Sequence, residues 1–218
     1  MPIYYYYILI VLLLFLKVDW NMTGVPYRIS DVLYGQFTKY TQKIDIHKSS
    51  EILLFYDDVM KQAGIPYWLS EGTALGVTRE NRLLPWDDDI DTSFFEKYRD
   101  TFIKKVLPIL EQNGFKIVFL SNKGNFFSFI DKVGNRLDVD IVSKNGKCGA
   151  PITEYTGWNM SCDDMMKHIQ YFKNIRFLGR TFTVPNDTYL EYLYGKDWKT
   201  PMKKNKIKNG LQFLLQKK

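Results

Sequence analysis

Cysteine and histidine are scarce in this chain, with two of each among 218 residues. Cys148 and Cys162 are too few and too widely spaced for a four-ligand zinc site. They leave two readings open: one disulfide in an oxidising compartment, or two free buried thiols. A full-length apolar run is missing too. Ile3 to Leu16 is uncharged over 14 residues and ends at Lys17, whereas a transmembrane helix needs roughly 17 to 25 residues. The run fits a signal-peptide core or a short signal-anchor, although no basic residue precedes it and no small-residue cleavage site follows it. Tyr4 to Tyr7 suit a membrane interface, and a buried core segment is the remaining alternative. The expectation is an uncleaved single-pass anchor with the domain in the secretory lumen or outside; cleavage would make the protein secreted. Internal repeats are absent, and so is low complexity outside a lysine-rich end.

The positive charge is local. Of a formal net charge of +6, residues 196–218 contribute +7, from eight lysines against Asp197. The rest of the chain is therefore close to neutral, which argues against a nucleic-acid-binding domain. The tail reads as a solvated end, with contact to anionic lipid or RNA as the alternative.

What the chain has in quantity is core-forming material, 45% hydrophobic and 16% aromatic residues, enough for one folded domain. Three N-x-[ST] triplets, at Asn21, Asn159 and Asn186, agree with a secretory location as glycosylation acceptors. After a polar connection to about residue 45, apolar positions Ile52, Leu53, Tyr56, Val59, Met60 and Ala63 predict a helix capped by Ser49 or Ser50 and closed by Gly64. Ile65 to Leu69 reads as a short strand, and Ser70 to Gly76 as a tight turn entering a helix. Ile90 to Phe95 reads as a strand, and Glu96 to Asn113 as a helix kinked at Pro108 and closed by Gly114. Three strands are expected at Phe115 to Leu120, Asn125 to Asp131 and Arg136 to Val142. A helix around Asp163 to Phe172, a β segment from Phe177 to Val184 and a helix from Asn186 to Tyr194 complete the reading.

Against this background Leu83-Leu84-Pro85-Trp86-Asp87-Asp88-Asp89-Ile90-Asp91 stands out, four carboxylates in five positions behind an apolar run. If it is extended, Asp87, Asp89 and Asp91 share one face while Asp88 points away. Carboxylates at i and i+2 lie roughly 6 to 7 Å apart, a span that divalent cations can bridge. Arg136-Leu137-Asp138-Val139-Asp140 repeats the alternation and can bring a third carboxylate beside the first strand. Such hard oxygen ligands favour Mg²⁺ or Mn²⁺. A solvated acidic turn is the plainer alternative, opposed by Leu83, Leu84, Trp86 and Ile90, which draw the acids toward the core. An EF-hand loop fails, since its sixth position would be Thr92 and its twelfth Tyr98. Upstream, Gly72-Thr73 offers backbone N–H groups, a hydroxyl and a helix start to a phosphate. Arg79 and Arg82 can clamp phosphate oxygens or serve as surface charges.

From Ile65 through Ser70-Glu71-Gly72-Thr73-Ala74-Leu75-Gly76 and Arg79 to Pro85-Trp86-Asp87-Asp88-Asp89-Ile90-Asp91, the chain resembles the LicD family, which includes bacterial phosphocholine transferases and the animal fukutin and fukutin-related proteins. Asp140-Ile141-Val142 resembles the family's second acidic strand, and Val184-Pro185 to Tyr194-Gly195-Lys196-Asp197-Trp198 with Pro201 its C-terminal signature. The resemblance implies an α/β (α+β) domain, a mixed β-sheet flanked by helices, with the nucleotidyltransferase fold of the DNA polymerase beta type behind an N-terminal hydrophobic anchor. It implies transfer of an alcohol-phosphate, such as phosphocholine or ribitol phosphate, from a CDP-activated donor to a glycan hydroxyl. Asp89 and Asp91 match the metal pair, Asp140 the third carboxylate, Asp87 a more variable ligand position, and Gly72-Thr73 the phosphate-contacting turn. Val142-Ser143 departs from the aromatic-proline continuation common in the family, which leaves the donor open. The resulting organisation is an anchor at 1–17, a stalk at 18–47, the LicD-like domain at 48–201 and a basic tail at 202–218. The alternatives are an anchored Asp-x-Asp glycosyltransferase using a nucleotide-sugar, which gives no task to Gly72-Thr73 or Asp140, and a catalytically silent glycan-binding module.

Overall fold

A computed structural model describes residues 3–18, 25–26, 28–33, 45–120, 124–142, 169 and 171–201. Asn21, Asn159, both cysteines, the basic tail and nearly all of the expected helix at 163–172 lie outside the described residues. The apolar N-terminal run forms helix α1 (Ile3–Phe15). From Tyr7 to Leu13 its side chains are 40% to 62% exposed. No helix among the described residues is long and apolar enough to cross a membrane, so the fold does not show the expected anchor. Within the stretch expected as a stalk, Val25 is buried in the main core and Asp31 pairs with Lys116 at 3.3 Å.

Helix α2 (Ile46–Ala63) buries Ile52, Leu53, Tyr56, Val59 and Met60, the stripe expected from its period. Its cap is Asp45, not Ser49 or Ser50. The Asp45 carboxylate accepts from the N–H groups of His47 and Lys48 at 3.0 and 3.1 Å, while the Ser50 hydroxyl donates back to the Ile46 carbonyl inside the helix. Gly64, at φ +70, closes it as expected. Strand β1 (Tyr67–Leu69), helix α3 (Glu71–Glu80) and strand β2 (Asp89–Phe95) follow.

The single helix expected at 96–113 is broken into a 3₁₀ turn (Glu96–Tyr98), an α turn (Arg99–Thr101), a π segment (Phe102–Val106) and a terminal α segment (Leu107–Gln112). Pro108 lies in the first turn of the last piece. Without an N–H it cannot bond the carbonyl four residues back, and its ring crowds that carbonyl, so the register changes just upstream. Strands β3 (Lys116–Leu120), β4 (Phe126–Ile130) and β5 (Arg136–Val142) occupy the three expected segments. The β segment expected at 177–184 is instead the end of one strand and most of another, β6 (Phe172–Phe177) and β7 (Arg180–Pro185). Leu178 and Gly179 between them have φ +49 and +75, the two left-handed residues of a tight hairpin turn. Helix α4 (Asp187–Tyr194) opens at Asn186, whose side-chain oxygen accepts from the Tyr189 N–H at 3.4 Å.

The sheet is mixed, in the order β1-β2-β5-β4-β3, with β2 and β5 parallel and every other pair antiparallel. Ile90 and Phe94 of β2 and Leu137, Val139 and Ile141 of β5 are fully buried. On that face Phe102 meets Phe94, Phe127 and Phe129 at ring-centroid distances of 5.0, 5.6 and 6.4 Å, which seats the broken helix on the sheet. Strand parity sends Asp89, Asp91 and Ser93 to the opposite side, where α3, α4 and the β6–β7 hairpin gather. Arg180 ties that hairpin to α2 through Asp57 and Asp58 at 2.8 and 2.6 Å.

Candidate active site

The acidic stretch is half turn and half strand. Asp87 precedes β2 and its N–H bonds the Leu84 carbonyl at 3.1 Å, while Asp89 and Asp91 lie on the strand. One carboxylate oxygen from each of Asp87, Asp89 and Asp91 lies within 4.8 Å of the others. Asp88 is exposed. Burial holds the Asp89 and Asp91 carboxyls well above the usual carboxylate range, and neighbouring acids add to it, Asp138 foremost at Asp89 and Asp89 foremost at Asp91.

The Gly72-Thr73 turn grips this group. The N–H groups of Gly72 and Thr73 donate to the Asp91 carboxylate at 3.0 and 3.4 Å, and the Thr73 hydroxyl accepts from the Asp91 N–H at 2.8 Å. The carboxylate thus sits at the positive end of α3. A Cβ at position 72 would lie 2.1 Å from an Asp87 carboxylate oxygen, so glycine here leaves room for that carboxylate, which a larger residue would displace.

On β5 the register sets Asp138 opposite Asp91 and Asp140 opposite Ser93. Paired residues of adjacent parallel strands share a face, so Asp89, Asp91 and Asp140 are brought to one side of the sheet. Asp138 accepts from the Ser128 hydroxyl at 2.5 Å, and Ser128 in turn accepts from Arg136 at 2.6 Å. Asp140 is 8% exposed, its Oδ1 has no hydrogen-bond partner, and burial pushes its carboxyl up to about 7.

The two arginines are engaged elsewhere. Arg79, 8% exposed at its side chain, donates to Glu80 and to the Trp198 carbonyl. Arg82 is largely exposed and pairs with the other Glu80 oxygen at 2.5 Å. Three residues with no role assigned from sequence face the acids. Glu71 enters α3 with φ +42, and its carboxyl is pushed up to about 8 by burial and by Asp140, Asp138 and Asp87. Tyr189 and Tyr194 of α4 are also raised, by burial and then by Glu71, and the Tyr189 hydroxyl is hydrogen-bonded to the Glu71 backbone. Glu71 is adjacent to the Gly-Thr turn, but no local pattern in the sequence tells that its carboxyl lies among the acids. The tyrosines fall at i and i+5 on a helix whose contacts no local pattern gives.

Hard oxygen donors at this separation, with a buried carboxylate oxygen left unpaired nearby, fit a divalent cation of the Mg²⁺ or Mn²⁺ type. The sequence profile of the LicD/FKTN/FKRP nucleotidyltransferase domain matches residues 64–187, spanning β1 through the start of α4. The chain belongs to the LicD family. Among LicD relatives, the ribitol-5-phosphate transferases FKTN of Homo sapiens and Macaca fascicularis are each 27% identical over 172 residues, 71% of this chain and 34% of theirs. The ribitol 5-phosphate transferase FKRP of Homo sapiens is 29% identical over 90 residues, 38% of this chain and 17% of its own. The chain thus spans about a third, or less, of the length of these curated relatives. A lincomycin-bound lincosamide antibiotic adenylyltransferase, LnuA, aligns with 74% of this chain and 95% of its own at a TM-score of 0.48 and 17% identity.

Proposed function

We propose that this LicD domain transfers an alcohol-phosphate from a CDP-activated donor to a glycan hydroxyl, with ribitol phosphate the first donor group to test. The observation that carries the reading is the convergence of Asp87, Asp89 and Asp91 within 4.8 Å, beside a buried Asp140. Family membership and the ribitol-phosphate transfer for which FKTN and FKRP are named support the substrate class.

Asp87, Asp89 and Asp91 would hold a divalent cation, with Asp140 close by. A bound Mg²⁺ or Mn²⁺ supplies charge neutralisation to the donor diphosphate and the leaving CMP. Asp140, with its carboxyl near 7, takes the proton of the acceptor hydroxyl as that oxygen attacks the phosphorus bearing the alcohol. The phosphorus–oxygen bond to CMP breaks and the alcohol-phosphate ends on the glycan. Gly72 and Thr73 fix the Asp91 ligand and set the floor against which the donor phosphates lie. Arg82 is the exposed member of the arginine pair and would reach an anionic donor by exchanging its Glu80 partner for a phosphate. The apolar α1 and the sequons at Asn21, Asn159 and Asn186 support a membrane-held, secretory location.

The test is incubation of the purified protein with CDP-ribitol, CDP-choline and CDP-glycerol, a glycan pool and Mg²⁺ or Mn²⁺, read by mass spectrometry. CMP should appear together with a glycan carrying the alcohol-phosphate. Asp89→Ala should lower turnover by about 10² to 10³, the cost of losing a group that stabilises transition-state charge. Unchanged activity in Asp89→Ala, or consumption of UDP- or GDP-sugars with release of the nucleoside diphosphate, would refute the assignment.

A further inference from the structure

We infer that Phe126 and Phe119 form the platform on which the acceptor sugar lies, an aromatic ledge running from Asp140 to the edge of the sheet. The inference deepens the transferase reading and rests on it for the hydroxyl that Asp140 deprotonates. Three observations carry it.

The first is register. Phe126 of β4 stands opposite Asp140 of β5, and cross-strand partners share a face of the sheet. Continuing that register by one residue, the Ile141 N–H donates to the Asn125 carbonyl at 2.7 Å. Bonded and unbonded pairs alternate along an antiparallel ladder, so Phe126 and Asp140 form an unbonded pair, the kind whose side chains stand closest. A molecule approaching Asp140 from the β4 side therefore meets the Phe126 ring.

The second is a β-bulge in the edge strand. Ile117 of β3 pairs with Phe129, but Phe119 pairs with Ser128, which leaves Val118 as the extra residue. Ile117 and Phe129 belong to the core, so plain alternation would turn Phe119 to the core as well. The bulge sends it to the face of Ser128 and Phe126 instead, with its ring centroid 5.9 Å from that of Phe126. Bulges redirect side chains in this way and are frequent beside active sites.

The third is burial. Phe127 and Phe129, on the core face of β4, are fully buried. Phe126 and Phe119 are only half-buried, so the core does not account for either ring. Part-open aromatic surface beside a buried carboxylate is the mixture that lines small-molecule sites.

The chemistry names the occupant. In phosphoryl transfer the attacking and leaving oxygens stand roughly in line. Asp87, Asp89, Asp91 and the Gly72-Thr73 turn belong to the β2 and α3 side of the acid face, so CMP departs there and the acceptor enters over β4. A pyranose suits the ledge, because its face of C–H groups packs on an aromatic ring while its hydroxyls remain free to reach Asp140.

Saturation-transfer difference NMR on the full chain with Mg²⁺ tests the ledge, using the methyl glycosides of galactose, mannose, N-acetylgalactosamine and N-acetylglucosamine as probes. In wild type, saturation should pass to the ring C–H protons of at least one glycoside. Phe126→Leu and Phe119→Leu keep apolar volume and remove a ring; each should weaken binding of that glycoside about three- to tenfold. Phe126→Tyr should keep it. Mn²⁺ affinity should stay as in wild type in all three variants, which separates the ledge from the cation group. In the CDP-alcohol assay Phe126→Leu should raise the acceptor KM and leave the donor KM unchanged. Circular dichroism establishes that each variant is folded; should Phe126→Leu fail to fold, Phe119→Leu and Phe126→Tyr decide. No saturation of any glycoside by wild type, binding unchanged in both leucine variants, or a rise in donor KM in place of acceptor KM overturns the inference. Absence of CDP-alcohol turnover with ring-dependent sugar contact intact would remove the donor assignment and leave the sugar platform standing.

Discussion

Replacing Asp140 with asparagine should stabilise the cation-free protein at alkaline pH while removing its activity. Burial raises the Asp140 carboxyl from 3.8 to about 7. Because the folded value lies above the unfolded one, the carboxyl favours folding when protonated. That contribution is complete below about pH 4 and is lost as pH rises through about 7. At about 1.4 kcal/mol per pKa unit the full loss is about 4 kcal/mol, which water entry and relaxation reduce. Asparagine keeps the shape and cannot ionise. In EDTA, wild type and Asp140→Asn should therefore melt together near pH 4. They should separate by about 2 to 4 kcal/mol at pH 8, on the order of 5 to 10 °C in Tm for a domain of this size. Differential scanning calorimetry at both pH values measures it. Saturating Mn²⁺ should then raise the wild-type Tm more than that of the variant, because ligand binding to the folded state adds stability by mass action. A variant less stable than wild type at pH 8 in EDTA, or a difference that ignores pH, would refute the reasoning.

Gly72→Ala should weaken Mn²⁺ binding at least tenfold, because its Cβ would lie 2.1 Å from an Asp87 carboxylate oxygen; Mn²⁺ titration reads it. Arg79→Ala should cost about 1 to 3 kcal/mol in urea denaturation, since it leaves one carboxylate oxygen of half-buried Glu80 and the Trp198 carbonyl without their partner, while Arg82 still holds the other Glu80 oxygen. Arg82→Ala, at an exposed pair, should cost within about 0.5 kcal/mol in the same assay. Asn186→Ala should lose the cap of α4 and about 1 kcal/mol, measured by thermal melting.

Where side-chain period and chain punctuation agree, the sequence could be read. The alternation Asp89-Ile90-Asp91 against Leu137-Asp138-Val139-Asp140 placed the acids on one face and the aliphatics on the other, because strand parity is a local property. The Gly64 closure of α2 and the Asn186 start of α4 are local too. What escaped reading depends on contacts or on backbone angles. Ser49 and Ser50 look like caps, yet Asp45 lies nearer the true start and its carboxylate takes two amides. Leu178 is a poor signal for a turn, so the hairpin around it reads as one strand. The φ of +42 at Glu71 has no sequence signature, because glutamate ordinarily avoids the left-handed region. Arg79 stands close enough in sequence to the acids to look like a phosphate clamp, and only the fold reveals Trp198 and Glu80 as its partners.

The Gly72-Thr73 turn bears on how a site so rich in negative charge holds its shape. Helix N-termini attract anions because their first amides lack intrahelical partners. In this fold two such amides are directed at Asp91, so the anion bound there is one of the chain's own carboxylates. That choice fixes the side chain most exposed to repulsion from Asp89 and Glu71. It leaves Asp89, whose strongest charged neighbour is Asp138, as the member with most to gain from a cation. The order of loss on mutation should follow: Asp89→Asn should lower cation affinity more than Asp91→Asn, because asparagine at 91 can still accept the two amides through its side-chain oxygen. Equal losses measured by Mn²⁺ titration would mean that the turn serves the fold of α3 alone and does not order the ligand set.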